Sequence, residues 1–322
     1  MPEVTVLTAV RNGALVLEAT IASVRRQTFA DLEYVIVDDA SDDETPEVVE
    51  RAMRDDRRIR LIRRGDRGGP YAAANDGLRA AQGRFVARLD ADDVALPERI
   101  ERQIEYLRQT GLRACASFYQ AITPDGRLTS EIGRVAGGVR MLKWRLCVRH
   151  GLTHSTACVE RSALEQIGGY RELPASQDLR LWCDLARRDW LGILPEVLIH
   201  LRRPGGVTSN TPEVQERLAI EVQFDHVNEL SSDPWSEEEV RALRPSWTGQ
   251  PMATRLDALD RWVRLWQSDD SLDRRDRAEL SSLERSVYWD IARQALRWEG
   301  MKPATLRSIL FSAPGHLAPR TL

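Results

Sequence analysis

Asp90-Ala91-Asp92-Asp93 is the segment of this chain best equipped for chemistry. Two carboxylates two residues apart, following the apolar run Phe85-Val86-Ala87-Arg88-Leu89, can face one pocket from the end of a buried strand. They offer the hard oxygen ligands that Mg2+ or Mn2+ prefers. A cation held there would neutralise a diphosphate and stabilise the negative charge on it as it leaves. With 49 Asp and Glu in the chain, such a spacing also arises by chance, and taken alone it reads equally as a solvated turn. Its weight comes from its company. Thr8, Arg11 and Asn12 close the β-branched run at 4–10, and Asp38-Asp39 closes the run Leu32-Glu33-Tyr34-Val35-Ile36-Val37. Polar groups at three strand ends converge where an open α/β sheet binds its ligands, beyond the carboxyl ends of the strands.

The elements that must present these residues follow from periodicity. Residues 4–10, 32–37, 58–62 and 84–89 read as strands, and 15–27 and 71–81 as helices of three- and four-residue apolar spacing. Thr45-Pro46-Glu47 supplies an N-cap, a proline at the first helical position and a first-turn acid. This alternation implies βαβ units and a mostly parallel sheet. Pro97 opens a helix over 98–109 that Gly111 ends, after which 113–122 and 127–130 suggest a hairpin about Asp125-Gly126. Ser162 with Glu165 has the spacing of a capping box before a short helix closed by Gly168-Gly169, 179–188 reads as a helix, and 191–201 as one or two strands.

From 211 onward strand signals are scarce. Ile220, Phe224, Val227 and Leu230 share a helical face, Ser236 with Glu239 makes a second capping box, and Leu259, Trp262, Val263 and Trp266 repeat at helical spacing. Leu280, Leu283, Val287 and Ile291 mark one more helix. The expected division is therefore 1–210 as a nucleotide-binding α/β domain and 211–322 as a helical extension. Six of nine tryptophans, Trp235, Trp247, Trp262, Trp266, Trp289 and Trp298, fall in that extension. They read as core residues and homodimer contacts in preference to an aromatic platform for a sugar or lipid acceptor.

Composition bounds the partners. The 322 residues carry 46 Lys+Arg against 49 Asp+Glu, a formal charge of −3, which gives no reason to expect a nucleic-acid partner. Only Lys143 and Lys302 are lysines, so a P-loop lysine or a Schiff base is excluded along most of the chain. Cys115, Cys147, Cys158 and Cys183 have no CxxC pairing and read as buried small hydrophobes in a reducing compartment. No basic leader and no apolar stretch of about 18 residues occurs, so the expectation is a soluble, cytoplasmic chain without a transmembrane segment, moving one sugar at a time rather than polymerising processively.

The succession VTVLTAVRNG, SVRRQTF, YVIVDDASDDET, AANDGLRAAQGRFVARLDADD and LPERIERQ resembles the nucleotide-binding half of the family 2 glycosyltransferases of the GT-A fold, over about residues 3–209. The resemblance implies a Rossmann-like sheet flanked by helices, a nucleoside-diphosphate-sugar donor with UDP or dTDP as the nucleotide, a Mn2+ or Mg2+ cofactor and inversion at the anomeric carbon. It also implies roles. Thr8 with Arg11 matches the segment lining the nucleoside pocket, Asp39 the acid that accepts a hydrogen bond from the base, Asp92 the direct metal ligand, and Asp90 a metal-motif acid nearer ribose and sugar hydroxyls. Gly69 and Asn75 fall beside the donor. Asp178, in Ser176-Gln177-Asp178-Leu179-Arg180-Leu181-Trp182, matches the base that takes the acceptor proton, whereas Gln177 stands where the family usually has glutamate; Asp184 is a weaker choice. Residues 144–170, including His154, Ser155 and Gly168-Gly169-Tyr170, form the acceptor region. Arg203, in the basic glycine-containing loop 200–209, would clamp the diphosphate, with the glycines permitting a lid.

Four rivals compete. Asp90, Asp92 and Val94 fit the literal D-x-D-x-V of haloacid-dehalogenase phosphatases, but there the aspartates belong to the first strand. A nucleotidyltransferase of similar sheet would bring a glycine- and basic-rich loop after the first strand, which RNGALVLEA is not, and no G-x-G-x-x-G supports a dinucleotide enzyme. A non-catalytic binding protein of the same fold would not need Asp39, Asp90, Asp92 and Asp178 together.

Overall fold

The computed structural model describes residues 1–135, 137–149, 151–203, 212–244 and 250–298. The chain divides into two compact units, one of Met1–Val139 with Gly151–Ala219 and the other of Arg140–His150 with Ile220–Leu322. The segment 140–149, expected within the first 210 residues, thus groups with the C-terminal helices.

In the first unit β1 (Val4–Val10), β2 (Leu32–Asp38), β3 (Ile59–Arg63) and β4 (Phe85–Arg88) form the parallel half of a sheet ordered β3-β2-β1-β4. β1, β2 and β4 are near-continuous apolar runs because helices α1 (Leu17–Arg25), α2 (Thr45–Asp55) and α3 (Gly69–Ala80) leave them buried on both faces. Beyond β4 the order continues β8-β6-β9-β5, where β5 is Val94–Ala95, β6 Ala114–Ile122, β8 Cys158–Glu160 and β9 Leu191–Arg202. β8 runs antiparallel to β4 and β6, β6 parallel to β9, and β7 (Leu128–Gly133) returns antiparallel on β6. Helices α4 (Arg99–Thr110), α6 (Arg161–Gln166) and α7 (Gln177–Ala186) complete the unit, α4 ending at Gly111 in the left-handed conformation with φ of 70°.

Two local expectations are corrected. Thr45 begins α2 without capping it: its backbone is helical, and its hydroxyl accepts from the Gly13 N–H at 2.8 Å and bonds Asp43. Ser162 lies inside α6, where its hydroxyl accepts from Arg113 Nη2 at 2.7 Å, so no capping box forms with Glu165.

The second unit is helical. α5 (Val139–Val148) brings Met141, Trp144, Cys147 and Val148 into one apolar cluster with residues of α8 (Pro212–Leu230), α9 (Glu237–Ala242), α10 (Met252–Gln267) and α11 (Arg274–Trp298). The Ser236 cap is present as expected: its Oγ accepts from the Glu239 N–H and the Glu239 carboxylate accepts from the Ser236 N–H. Trp235, Trp262 and Trp266 are buried in this cluster and Trp289 packs against it, while Trp247 and the Trp298 side chain lie outside the described residues. Asp269, held down to about 2 by hydrogen bonds from Ser271 and Trp144 and by Lys143 against the opposing cost of burial, pins α5 through the Trp144 indole at 2.8 Å. All four cysteines are free and buried.

α3 approaches β1 closely at Gly77, where an added Cβ would collide with Leu7 and lie 3.1 Å from Val37. Gly77→Ala is expected to destabilise the protein by about 1–3 kcal/mol through overpacking, despite up to about 1 kcal/mol of gained helix propensity. Gly65→Ala, into open space, should shift the denaturation midpoint by no more than about 0.5 kcal/mol equivalent. Chemical denaturation of both variants checks the contrast.

Candidate active site

Parallel pairing in register brings the ends of β1, β2 and β4 to one edge. Val10 lies opposite Asp38, and Leu89 N–H donates to the Leu7 carbonyl at 3.0 Å. The loops that leave β1 and β2 are tied together: Asn12 N–H donates to Ser41 Oγ at 2.9 Å, Asp42 N–H to Asn12 Oδ1 at 3.1 Å, and Ala14 N–H to Asp43 at 3.1 Å. Asn12 and Ala40 adopt left-handed backbone, with φ of 54° and 57°.

Thr8 is fully buried beneath this edge, its hydroxyl donating to the Leu89 carbonyl at 2.7 Å and lying 2.9 Å from the Tyr34 hydroxyl. It fixes the end of β4 to β1 from below. Arg11 lies at the exposed rim, 3.9 Å from Asp42. Asp39 is buried and receives the N–H groups of Gly68 and Gly69 at 2.8 Å each, with Arg64 Nε 2.9 Å from the same carboxylate. It therefore anchors the N-terminus of α3, where the macrodipole favours an anion. Asp38, also buried, accepts from Ser41 N–H at 3.2 Å.

The turn after β4 carries three acids in different environments. Asp90 is open to solvent on one side, and its carboxylate pairs with Arg88 Nη2 at 2.9 Å. Asp92 has its carboxyl raised by burial first and by the Asp90 charge second. Asp93 is the buried hub. Ser155 Oγ donates to its Oδ2, and the Arg202 N–H donates to Oδ1 at 2.9 Å. Burial, then the charges of Asp90 and Asp92, push the Asp93 carboxyl well above the usual range. Ser155 also accepts from the Asp90 N–H at 2.9 Å, and Arg202 Nε donates to the Asp92 carbonyl at 2.9 Å. The turn is thus held by the 3-10 segment His154–Thr156 on one side and the end of β9 on the other.

Sequence reasoning missed Arg88 and Arg99. Arg88 is almost fully buried in β4 and donates to the Leu7 and Leu89 carbonyls at 2.8 and 3.0 Å besides pairing with Asp90. Arg99, fully buried at the start of α4, donates to the Arg88 carbonyl at 2.7 Å and the Ala157 carbonyl at 3.2 Å. Burial lowers it to about 10, still a cation at neutral pH. An arginine inside an otherwise apolar strand was the available signal, since a buried charge needs a partner.

Asp178 lies in the first turn of α7, its Oδ1 accepting from the Leu179 N–H at 2.8 Å, and the N-cap position belongs to Ser176 with φ of 61°. Although Asp90 and Asp178 come from distant parts of the chain, both act electrostatically on His154 and on Tyr170. These two rings meet edge to face, with His154 Nε2 3.1 Å from the Tyr170 hydroxyl. Desolvation first and Arg88 second hold His154 down to about 4, and desolvation raises Tyr170 to about 12, so both are neutral at physiological pH. Asn75, at the middle of α3, donates to the Tyr170 carbonyl at 2.8 Å and accepts its N–H at 2.9 Å. Asp184 is occupied by Arg180 and Arg187 in a buried ion-pair cluster on α7. Arg203 turns to the β6–β7 hairpin, its Nη2 3.0 Å from both Tyr119 Oη and Glu131, and residues 204–209 of its loop lie outside the described residues.

The residues present fit a hard divalent cation. Asp90 and Asp92 offer oxygens from one turn, and a cation held there would offset both the burial of Asp92 and, second to it, the Asp90 charge, which together raise the Asp92 carboxyl. Among the described residues no group of three or more His, Cys, Asp or Glu is arranged to hold a metal ion.

Known proteins resemble this chain in sequence and in fold. The family described as glycosyl transferase family 2 matches residues 5–168. The chain is 36% identical over 191 residues to the putative teichuronic acid biosynthesis glycosyltransferase TuaG of Bacillus subtilis, 58% of this chain and 73% of that one. It is 28% identical over 191 residues to an uncharacterized glycosyltransferase of Methanocaldococcus jannaschii, 58% of this chain and 66% of that one. It is 38% identical over 127 residues to the succinoglycan biosynthesis protein ExoO of Rhizobium meliloti, 39% of this chain and 36% of that one. Two solved structures share the fold. Staphylococcus aureus TarS 1-349 in complex with UDP-GlcNAc has a TM-score of 0.61 at 16% identity, with 92% of this chain and 89% of that one covered. The mannosyltransferase PcManGT of Pyrobaculum calidifontis, with GDP-Man and Mn2+, has a TM-score of 0.58 at 17% identity, with 97% and 79% covered.

The neutral His154 has a measurable consequence. In the unfolded chain its imidazole protonates near 6.5, and in the fold only near 4. Below 6.5 the unfolded state gains protons that the native state does not, so this residue lowers stability as pH falls from 6.5 to 4 and adds no further loss below. Urea unfolding across that range should show a smaller pH-dependent loss in His154→Gln than in wild type; parallel curves would refute the neutral assignment.

Proposed function

Because the chain belongs to glycosyl transferase family 2, whose match spans residues 5–168 of the 322, we propose that it moves a single sugar, with inversion, from a nucleoside diphosphate to a hydroxyl-bearing acceptor. The observation that carries this reading is the register of the parallel strands, which sets Asp39 after β2 and Asp90 and Asp92 after β4 at one edge of the sheet.

The nucleotide, UDP or dTDP, lies along the ends of β1 and β2, with Asp39 and the α3 N-terminus at its base end and Arg11 at the rim. Asp90 and Asp92 would hold a Mn2+ or Mg2+, Asp92 as the direct ligand, and such a cation would supply the positive charge that neutralises a diphosphate leaving group. Asp178 accepts the proton of the acceptor hydroxyl while that oxygen bonds to the anomeric carbon from the face opposite the departing diphosphate. One C–O bond forms as the bond to the diphosphate oxygen breaks, and the proton rests on Asp178. Arg88, paired with Asp90 at 2.9 Å, holds that carboxylate in place. The dense hydrogen bonding of the turn leaves it little to reorganise, the condition under which fixed charges act best on a transition state.

A thermal-shift screen with UDP-, dTDP- and GDP-sugars, each with and without Mn2+, tests the reading, because a ligand of the folded state raises the melting temperature. Selective, Mn2+-dependent stabilisation by a UDP- or dTDP-sugar is expected; selection of a GDP-sugar would correct the nucleotide, and no stabilisation by any would sink the transferase reading. Asp178→Asn should lower transfer by at least about 100-fold, within the range of lost general-base catalysis, with donor affinity changed no more than a few-fold. Asp92→Ala should weaken Mn2+-dependent nucleotide binding about tenfold or more, as loss of one of few metal ligands does. An unchanged Mn2+ titration would remove Asp92 from the ligand set.

A further inference from the structure

Tyr170 is held by more than packing. Its N–H and its carbonyl are both paired with one side chain, the Asn75 amide, in a two-point clamp of 2.9 and 2.8 Å. The approach is close: an added Cβ on Gly169, whose φ is +71°, would stand 2.7 Å from Asn75 Oδ1. Beyond the clamp the Tyr170 ring is buried, and its hydroxyl meets His154 Nε2 at 3.1 Å. Next to His154 in the chain, Ser155 bonds both the Asp90 N–H and the Asp93 carboxylate. At its other end, the helix that carries Asn75 is anchored by Asp39 through the Gly68 and Gly69 N–H groups. Hydrogen bonds, one helix and the His154–Ser155 peptide link therefore connect Asp39 with the turn that carries the metal-motif acids.

We infer that Asn75 is a positioning residue that clamps Tyr170 and, through the Tyr170–His154 pair, fixes the segment 154–155 that holds the turn of Asp90. The inference rests on the proposed transfer reaction for its consequence and on the hydrogen bonds alone for its geometry. Ser155, which follows His154, bonds both the Asp90 N–H and the Asp93 carboxylate, so where the two rings rest bears on where the turn presents its acids. Loosening the clamp should therefore disturb the placement of reacting groups, costing turnover rather than donor binding.

The test uses the full-length protein and three variants: Asn75→Ala; Asn75→Asp, which keeps the acceptor for the Tyr170 N–H and loses the donor to its carbonyl; and Tyr170→Phe, which removes only the hydroxyl. The 15N signals of the His154 ring, assigned through His154→Gln, report the pair without any ligand. All three variants are expected to shift the His154 Nε2 resonance, with Asn75→Asp shifting less than Asn75→Ala. Hydrolysis of UDP-GlcNAc and of GDP-mannose in the presence of Mn2+ provides the functional arm, with folding checked by circular dichroism. Asn75→Ala should lower kcat at least tenfold while KM for the accepted donor stays within threefold, and Asn75→Asp should recover part of the loss. An unmoved His154 signal in folded Asn75→Ala overturns the clamp, as does a rise in KM that matches the fall in kcat. Should the wild type hydrolyse neither donor, the transfer reading with those donors fails, while the histidine signal still decides the clamp. If Asn75→Ala does not fold, Tyr170→Phe carries both arms: an unmoved His154 signal or an unaltered kcat in it overturns the inference.

Discussion

Three carboxylates in four residues at the end of one strand are an electrostatic problem that the surrounding structure is organised to solve. Two like charges about 4 Å apart repel by roughly 4 kcal/mol at the effective dielectric of a protein surface, and Asp93 has lost its water as well. The compensation is buried and cationic. Arg88 in β4 pairs with Asp90, and Arg99 at the start of α4 reaches the Arg88 carbonyl from below. Neither arginine can be placed without the strand order β1-β4-β8, since Arg88 bonds the Leu7 and Leu89 carbonyls and Arg99 the Ala157 carbonyl that precedes β8. The position of α4, the short antiparallel β8 and the end of β9 are thereby bound to the needs of one turn.

Four described residues other than glycine have left-handed backbone, and all but Asp189 flank segments that carry candidate site residues. Asn12, Ala40 and Ser176 adopt left-handed conformations, which cost a residue with a Cβ on the order of 1 kcal/mol or more. The first two sit in the loops after β1 and β2, where reciprocal bonds between Asn12, Ser41 and Asp42 hold them. Ser176 precedes the helix that presents Asp178. Ala40 is the telling case, because glycine would adopt this conformation without strain, and the bonds between the two loops must offset the difference.

The sequence made the parallel half of the sheet legible because β1, β2 and β4 are buried on both faces and read as uninterrupted apolar runs. β8 and β5 escaped notice: three and two residues are too short for any period, and their pairing is decided by neighbours remote in the chain. α5 was missed because Trp144 and the basic residues around it gave no clear face until the C-terminal helices supplied the partner surface. Of the candidate site, Asp39, Asp90, Asp92 and Asp178 were legible as residues at strand ends or in a family motif. What each is bonded to was not. Thr8 was read as lining a pocket, yet its hydroxyl is spent on the Leu89 carbonyl and stands 2.9 Å from Tyr34, and Arg203 was read as a phosphate clamp, yet it is paired with Tyr119 and Glu131. Spacing reports which residues share an edge; side-chain partnership depends on rotamers and on segments a hundred residues away, as with Asn75 and Tyr170.

The apolar face of α5 gives the chain a further property. Met141, Trp144, Cys147 and Val148 are buried only because α8 to α11 surround them, and Gln223 and His226 of α8 bond back to the Leu146 and Lys143 carbonyls at 2.8 and 2.7 Å. One helix of the helical unit is consequently encoded upstream of Asp178 and the rest downstream, with segments of the α/β unit lying between them in the sequence. Such an arrangement cannot be exchanged between relatives as a terminal cassette. A recombination joint placed after β9 would separate α5 from the helices that cover it, so the two units are constrained to be inherited together, and the helical unit is free to diverge only as far as α5 diverges with it.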